Sequence, residues 1–238
     1  MFNLTLIKSN KLPILLSFIS GVFYFTFAYD LARTDDIKLL SLYVALFFLF
    51  YKLLQLQKYN TRFLIASAFI FRVVFIFAIP NLSQDFYRFI WDGRLSLEGF
   101  NPYLHTPASF ILKGEFPVAQ AQELYAGMGA LNASHFTNYP PVNQLCFIIA
   151  SFFAGKSIVG SVVVLRILII AADFGILYFG TKLLKKLKLP IHNIFLYLLN
   201  PFIIIELTGN LHFEGVMIFF LVWSLYVLHS ANGKWRVC

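Results

Sequence analysis

Six apolar runs, at about 12–29, 37–55, 63–80, 158–181, 191–207 and 215–230, each approach the ~20 residues that carry a helix across a hydrocarbon core. A chain inside lipid must satisfy its own backbone. The alternating strand-length segments of a membrane barrel are absent, so helices are the remaining solution. Composition agrees, with 59% hydrophobic residues, only 13% charged and a mean hydropathy of +0.75. A soluble domain carries roughly 25% charged residues. The sequence therefore predicts an all-α integral membrane protein, a multi-span helical bundle forming a single transmembrane domain over residues 1–238.

The orientation follows from the basic residues. Lys and Arg gather at the ends of runs rather than among exposed aromatics, so the net charge of +8 reads as positive-inside anchoring and gives no sign of nucleic-acid binding. Lys8 and Lys11 put the N-terminus in the cytoplasm. The next charged turns then alternate: Asp30, Asp35 and Asp36 outside, and Lys52, Lys58 and Arg62 inside. The third run emerges at Pro80, which makes 81–141 a long outer-face loop. Val142–Ala154 is short for a crossing. If it did cross, Lys182, Lys185, Lys186 and Lys188 would lie outside, so a re-entrant segment at 142–154 is expected. With that choice the turn 206–214 shares the outer face with 81–141. The first run lacks a small-residue cleavage signature and reads as a retained helix. Cys146 and Cys238 define no disulfide framework or thiolate metal site. For a bacterial chain the expected location is the cytoplasmic (inner) membrane.

The charges of the outer loop concentrate in Asn81–Tyr103, which holds Asp85, Arg88, Asp92, Arg94 and Glu98. Ser83 can cap a helix that runs from Gln84 and Asp85 until Gly99 and the Asn101-Pro102 turn end it. Asp85, Arg88 and Asp92 share one face at i, i+3 and i+7. Phe86, Phe89 and Ile90 take the other, which predicts an interfacial helix with its polar face toward an aqueous cavity. At the helix start the macrodipole favours the negative charge of Asp85. The same spacing also fits ordinary ion pairs, Asp85–Arg88 and Arg88–Asp92, worth a few tenths of a kcal/mol on an exposed helix. A second interfacial helix is expected at Val118–Leu131. Tyr139-Pro140-Pro141 is a rigid extended turn suited to start the re-entrant segment.

Charges inside the runs are expensive in a bilayer, so Arg72, Arg166 and Asp173 are functional candidates, with pairing to a neighbouring helix as the alternative. Arg166 and Asp173 lie about 10 Å apart along one helix face, too far for a direct pair. Arg166 could bind a lipid phosphate. His212 and Glu214, with Asp85, could ligate a divalent cation. They could equally be a turn histidine and a helix cap. Asn3, Asn81 and Asn132 begin glycosylation sequons, which matter only in a secretory compartment.

In order and spacing, Asp85-Phe-Tyr-Arg88-Phe-Ile-Trp-Asp92-Gly93-Arg94, Gly99-Phe-Asn101-Pro102-Tyr103, Tyr139-Pro140-Pro141, Leu199-Asn200-Pro201 and Gly209-Asn210-x-His212-x-Glu214 resemble the GT-C glycosyltransferases. They resemble in particular the bacterial polyprenol-phosphate-mannose-dependent mannosyltransferases. More distantly, the D-x-x-R-aromatic element resembles the lipid A aminoarabinose and protein O-mannosyl transferases. Such a resemblance implies an enzyme that moves a sugar, mannose in the nearer relatives, from a polyprenyl-phosphate carrier to a glycan or lipid acceptor at the outer face. It implies Asp85 as the first-loop catalytic acid and Glu214 as a second acid. Arg88, Asp92, Arg94, Arg166, Asn210 and His212 become candidate substrate contacts, with Asp85, His212 and Glu214 as candidate ligands of a divalent cation. Many relatives carry paired acids where this chain has Gln84-Asp85, and often Asp where it has Glu214. They usually have more spans than these six, so the chain is expected to be the N-terminal part of a larger GT-C fold.

Two other classes fit a membrane chain of this composition: a transporter or flippase-like protein with Arg72, Arg166 and Asp173 along a midplane path, and a non-catalytic subunit of a glycan assembly system. The transporter reading predicts internal repeats, and none is evident. The topology is directly testable. Cysteines placed in 81–141 or 208–213 are expected to react with an impermeant reagent from outside, and one placed near Lys186 is not. Labelling near Lys186 would overturn the re-entrant assignment.

Overall fold

The computed structural model describes residues 11–230. Asn3, Lys8 and Cys238, on which parts of the sequence reading rest, lie outside that range. Every regular element described is helical: α1 (Lys11–Tyr29), α2 (Asp36–Gln57), α3 (Thr61–Val73), α4 (Asp85–Leu97), α5 (Pro107–Ile111), α6 (Ala121–Ser134), α7 (Pro141–Ala154) and α8 (Ile158–Lys186). A 3₁₀ turn (Ile191–Ile194), the one-turn α9 (Phe195–Leu198), a π-helix (Ile203–Gly209) and α10 (Glu214–Ser230) follow. The elements form two compact units. The first holds residues up to Ile76 and from Ile169 onward, and the second holds Phe77–Leu168.

Three helices, α1, α2 and α8, are each long and apolar enough to cross a membrane. Large apolar side chains such as Phe18, Phe25, Leu40 and Phe48 stand exposed on α1 and α2. That arrangement is costly in water and natural against lipid. The turns carry their own caps. Asp35 accepts from the Lys38 N–H at 3.1 Å, and Asn60 accepts from the Phe63 N–H at 3.2 Å. Each such cap is worth about 1 kcal/mol.

Two runs depart from the straight spans expected of them. The third run is helical only to Val73, after which the chain tightens into i to i+3 bonds, Phe75 N–H to the Arg72 carbonyl and Ile76 N–H to that of Val73. The run at 191–207 is broken and bent by 59°. Its Leu199-Asn200-Pro201 sequence explains the break. Pro201 has no N–H to continue the first half, while Asn200 accepts from the Phe202 N–H at 3.0 Å and so starts the second. The carbonyl of Leu198 freed by the break accepts from Arg72 Nη1 at 2.6 Å.

Arg72 also resolves the question of charges inside the runs. Its Nε donates to Asp173 at 2.7 Å, and both side chains are fully buried. The pairing alternative therefore holds for these two residues.

In the second unit α4 packs against α6 and α7. Gly99, at φ +85°, ends α4, with the Phe100 N–H returning to the Leu95 carbonyl in the manner of a Schellman turn. Pro141 opens α7, as the rigid Tyr-Pro-Pro turn suggests. α6 lies close to the expected second interfacial helix but is kinked at Gly129, whose φ is +77°.

The interfacial picture of α4 is corrected. Phe86, Phe89 and Ile90 are buried, but so are Arg88, Asp92 and Arg94 on the supposed wet face. The polar face is covered because α6, α7 and the chain between them close over it, and because Arg88 and Asp92 neutralise each other. Gly93 makes this close packing possible, since a Cβ there would overlap the Phe147 carbonyl and the Ser151 hydroxyl on α7.

Gly93→Ala is expected to destabilise the protein by about 1–3 kcal/mol through overpacking. Gly21→Ala in α1, where nothing lies within 4 Å of the new Cβ, is expected to be neutral or to gain about 0.5–1 kcal/mol. Thermal unfolding of both proteins in the same detergent checks the contrast.

Candidate active site

Asp85 opens α4 and is only half-buried. Its backbone N–H donates to the Ser83 hydroxyl at 3.3 Å, but Ser83 is not the cap expected of it: the helix begins at Asp85, its N-cap is Gln84, and no side chain caps it. The carboxylate does not pair with Arg88. Instead its Oδ1 accepts from the Asn132 side-chain amide at 3.1 Å. No partner engages Oδ2 among the described residues. Asp85 is thus a carboxylate oriented on one side and open on the other, the form a proton acceptor requires.

Arg88 is spent mostly on the interior. Its Nε donates to Asp92 at 2.7 Å, and its Nη1 donates to the carbonyls of Asn132 at 2.9 Å and His135 at 3.0 Å, where α6 ends. Nη2 has no hydrogen-bond partner among the described residues. Asp92 also accepts from the Gln144 amide at 3.1 Å, and that amide in turn donates to Thr137. Burial pushes the Asp92 carboxyl above the usual carboxylate range, against the opposing pull of Arg88 and of hydrogen bonds from Thr137 and Gln144.

Arg94 donates through Nη1 to the Ala119 carbonyl at 2.6 Å and to the Gln120 side chain at 3.2 Å. Its Nε and Nη2 have no partners among the described residues. Burial lowers the pKa of its guanidinium, with the nearby Glu123 acting in the opposite sense. Arg166 is fully buried in the second unit.

The remaining candidates lie in the first unit. Glu214 starts α10 and is exposed. Asn210 is buried and donates its amide to Glu206 at 3.1 Å. His212 is partly exposed, with Nδ1 3.8 Å from Glu206. Among the described residues no group of three or more His, Cys, Asp or Glu is gathered as a metal site.

A family model described as alpha-(1->6)-mannopyranosyltransferase, N-terminal domain, of the MptA/B family matches residues 26–237. The chain belongs to this family. No curated protein and no solved structure matches it. The mannosyltransferase domain is accordingly a hexosyltransferase domain, and the GT-C resemblance read from its motifs holds.

Two contacts of the mannosyltransferase domain were not foreseen from sequence. Asn132 was visible only as the start of a sequon, yet its amide orients Asp85 while its carbonyl is tied to Arg88. Glu206 stood where the apolar run 191–207 meets the turn 206–214, and no motif marked it.

Because the Arg88–Asp92 pair is buried, Arg88→Ala is expected to cost about 3–5 kcal/mol, the penalty of an uncompensated buried charge, and not the few tenths of an exposed pair. Denaturation in detergent, followed through the buried Trp91, measures it. Wild-type stability in Arg88→Ala would overturn the structural role assigned to the pair.

Proposed function

We propose that this mannosyltransferase domain takes part in moving mannose from a polyprenyl-phosphate carrier to a glycan or lipid acceptor at the outer face of the cytoplasmic membrane, with Asp85 as general base. The observation that carries the reading is the state of Asp85: it sits at a helix start, is held by Asn132 on one oxygen and has the other oxygen open. Its neighbour in the motif, Asp92, is saturated and buried.

The chemistry is a direct displacement. The acceptor hydroxyl oxygen forms a bond to the anomeric carbon of mannose as the bond from that carbon to the carrier phosphate oxygen breaks. The hydroxyl proton passes to Asp85, and the bonding pair leaves with the phosphate. Inversion that yields an alpha linkage consumes a donor in which mannose is beta-linked to phosphate. The departing phosphate needs cationic or N–H donors. The spare N–H donors of this loop are Nε and Nη2 of Arg94 and Nη2 of Arg88, all buried and unpartnered among the described residues, and a shift that exposed them would supply that need. Arg166, Asn210, His212 and Glu214 remain candidate contacts for the donor or the acceptor.

Asp85→Asn keeps the size and the contact with residue 132 but removes the proton acceptor. Transfer is expected to fall by roughly the 10²–10⁴-fold typical of a lost general base, with membrane abundance and donor binding intact. The measurement is transfer from polyprenyl-phosphate mannose in membranes holding equal amounts of the full-length wild-type and variant enzymes. Near-normal turnover in Asp85→Asn would sink the reading.

A further inference from the structure

Building on the proposed handling of a lipid-linked mannose, we propose that Glu206 is a positioning residue that fixes His212 with Nδ1 protonated, so that Nε2 accepts a hydrogen bond from a sugar hydroxyl of the substrate. The cluster lies wholly within the first unit, and its backbone, its carboxylate and its histidine each point the same way.

The backbone is irregular where the two residues meet. Glu206 lies in a π-helix, Ile203–Gly209, a widened turn that is rare and recurs at functional sites. The chain then passes through Leu211, whose φ of +62° is unfavourable for a bulky side chain. Leu211 is completely buried, so the side chain anchors the turn that presents its neighbour His212. The His212 N–H donates to the Glu206 carbonyl at 3.3 Å, which closes the turn. Glu206 precedes His212 by six residues, and on a regular helix the two would not share a face. The irregular turn brings them together.

The carboxylate is immobilised. Tyr43 on α2 donates its hydroxyl to Oε1 at 2.8 Å, and Asn210 donates its amide to Oε2 at 3.1 Å. A carboxylate fixed from both sides is a poor candidate to accept a substrate proton itself. It is a good fixed partner for a third group.

That group is His212, with Nδ1 3.8 Å from Oε2. The distance is too long for a hydrogen bond but close enough to become one by a small ring rotation, and such bonds often tighten only when substrate is present. With Nδ1–H directed at the carboxylate, Nε2 carries the lone pair. The imidazole keeps about a third of its surface accessible, against a fifth for the carboxylate, so the histidine is the member of the pair that a ligand can reach.

Two measurements test the assignment. In the full chain in detergent micelles, well above the ordinary histidine pKa of about 6.5, nitrogen-15 shifts are expected to show His212 as the Nδ1–H tautomer in the wild type and shifted toward Nε2–H in Glu206→Gln. The Nε2–H form in both proteins would overturn the orientation.

In membranes of the full-length enzyme supplied with polyprenyl-phosphate mannose, Glu206→Gln and His212→Gln are each expected to lower kcat by about tenfold, the weight of one lost hydrogen bond. The double variant should fall no further than His212→Gln. Losses that multiply would show that Glu206 acts independently of His212, which overturns the proposal. If Asp85→Asn removes transfer while both of these variants retain it, this inference fails and the functional reading stands. If His212 shows the expected tautomer but wild-type membranes transfer no mannose, the orientation stands and the functional reading falls.

Discussion

Each unit is organised around a buried arginine that performs two tasks at once. Arg72 neutralises Asp173 and donates to the carbonyls of Ala68 and Leu198, the second of them where a helix breaks. Arg88 neutralises Asp92 and donates to the carbonyls of Asn132 and His135, where α6 ends. A helix that stops away from water leaves carbonyls unpaired, and in an apolar setting each would cost several kcal/mol. A guanidinium can satisfy them because it carries five N–H donors on a planar fork, and its charge suits the negative end of a helix. Each of these two arginines also has one buried carboxylate as its counter-charge. Interrupted helices are tolerated in this apolar protein because of that arrangement.

The same arrangement reaches the candidate base. Arg88 holds the backbone of Asn132, and the side chain of Asn132 holds Asp85. Asp85 is therefore oriented by a chain of contacts that begins at a buried ion pair, and it makes no direct contact with either charge of that pair. The two charged members of the D-x-x-R element are thus linked through Asn132 and not by a bond of their own. Spacing along a helix brought Asp85 and Arg88 to one face, as the sequence suggested. Tertiary packing then gave each a different partner.

Much of the fold was legible in the residue pattern because lipid imposes simple rules. Apolar runs of sufficient length became α1, α2 and α8, Gly99 ended α4, and Pro141 began α7. What failed was the reading of burial on α4. A stripe of Asp85, Arg88 and Asp92 opposite a stripe of Phe86, Phe89 and Ile90 is the pattern of a surface helix. The spacing left an Arg88–Asp92 pair open as an alternative, but it cannot reveal that this pair is buried or that Gly93 lets α7 approach closely enough to cover it. Asn132 and Glu206 were illegible for a related reason. Each acts through a contact distant in sequence or made by an irregular turn, and helical periodicity carries no information about either.

The carboxylates near these sites can be ordered by how much of their bonding capacity the fold consumes. Asp92 is buried with both oxygens bonded, and Asp173 is buried against Arg72 on one oxygen, its Oδ1 without a partner among the described residues, so burial rather than saturation closes it to a substrate. Glu206 is bonded on both oxygens but keeps a fifth of its surface and a histidine within reach. Asp85 is bonded on one oxygen only. A carboxylate saturated by the fold gains nothing from a substrate proton, because taking it would forfeit existing bonds. One with an open lone pair and an immobile neighbour loses little and is already aimed. By that criterion Asp85 is the carboxylate that suits the proposed base, and Glu206 the one that suits the proposed positioning role. Asp92, although it lies in the same motif as Asp85, belongs to the scaffold.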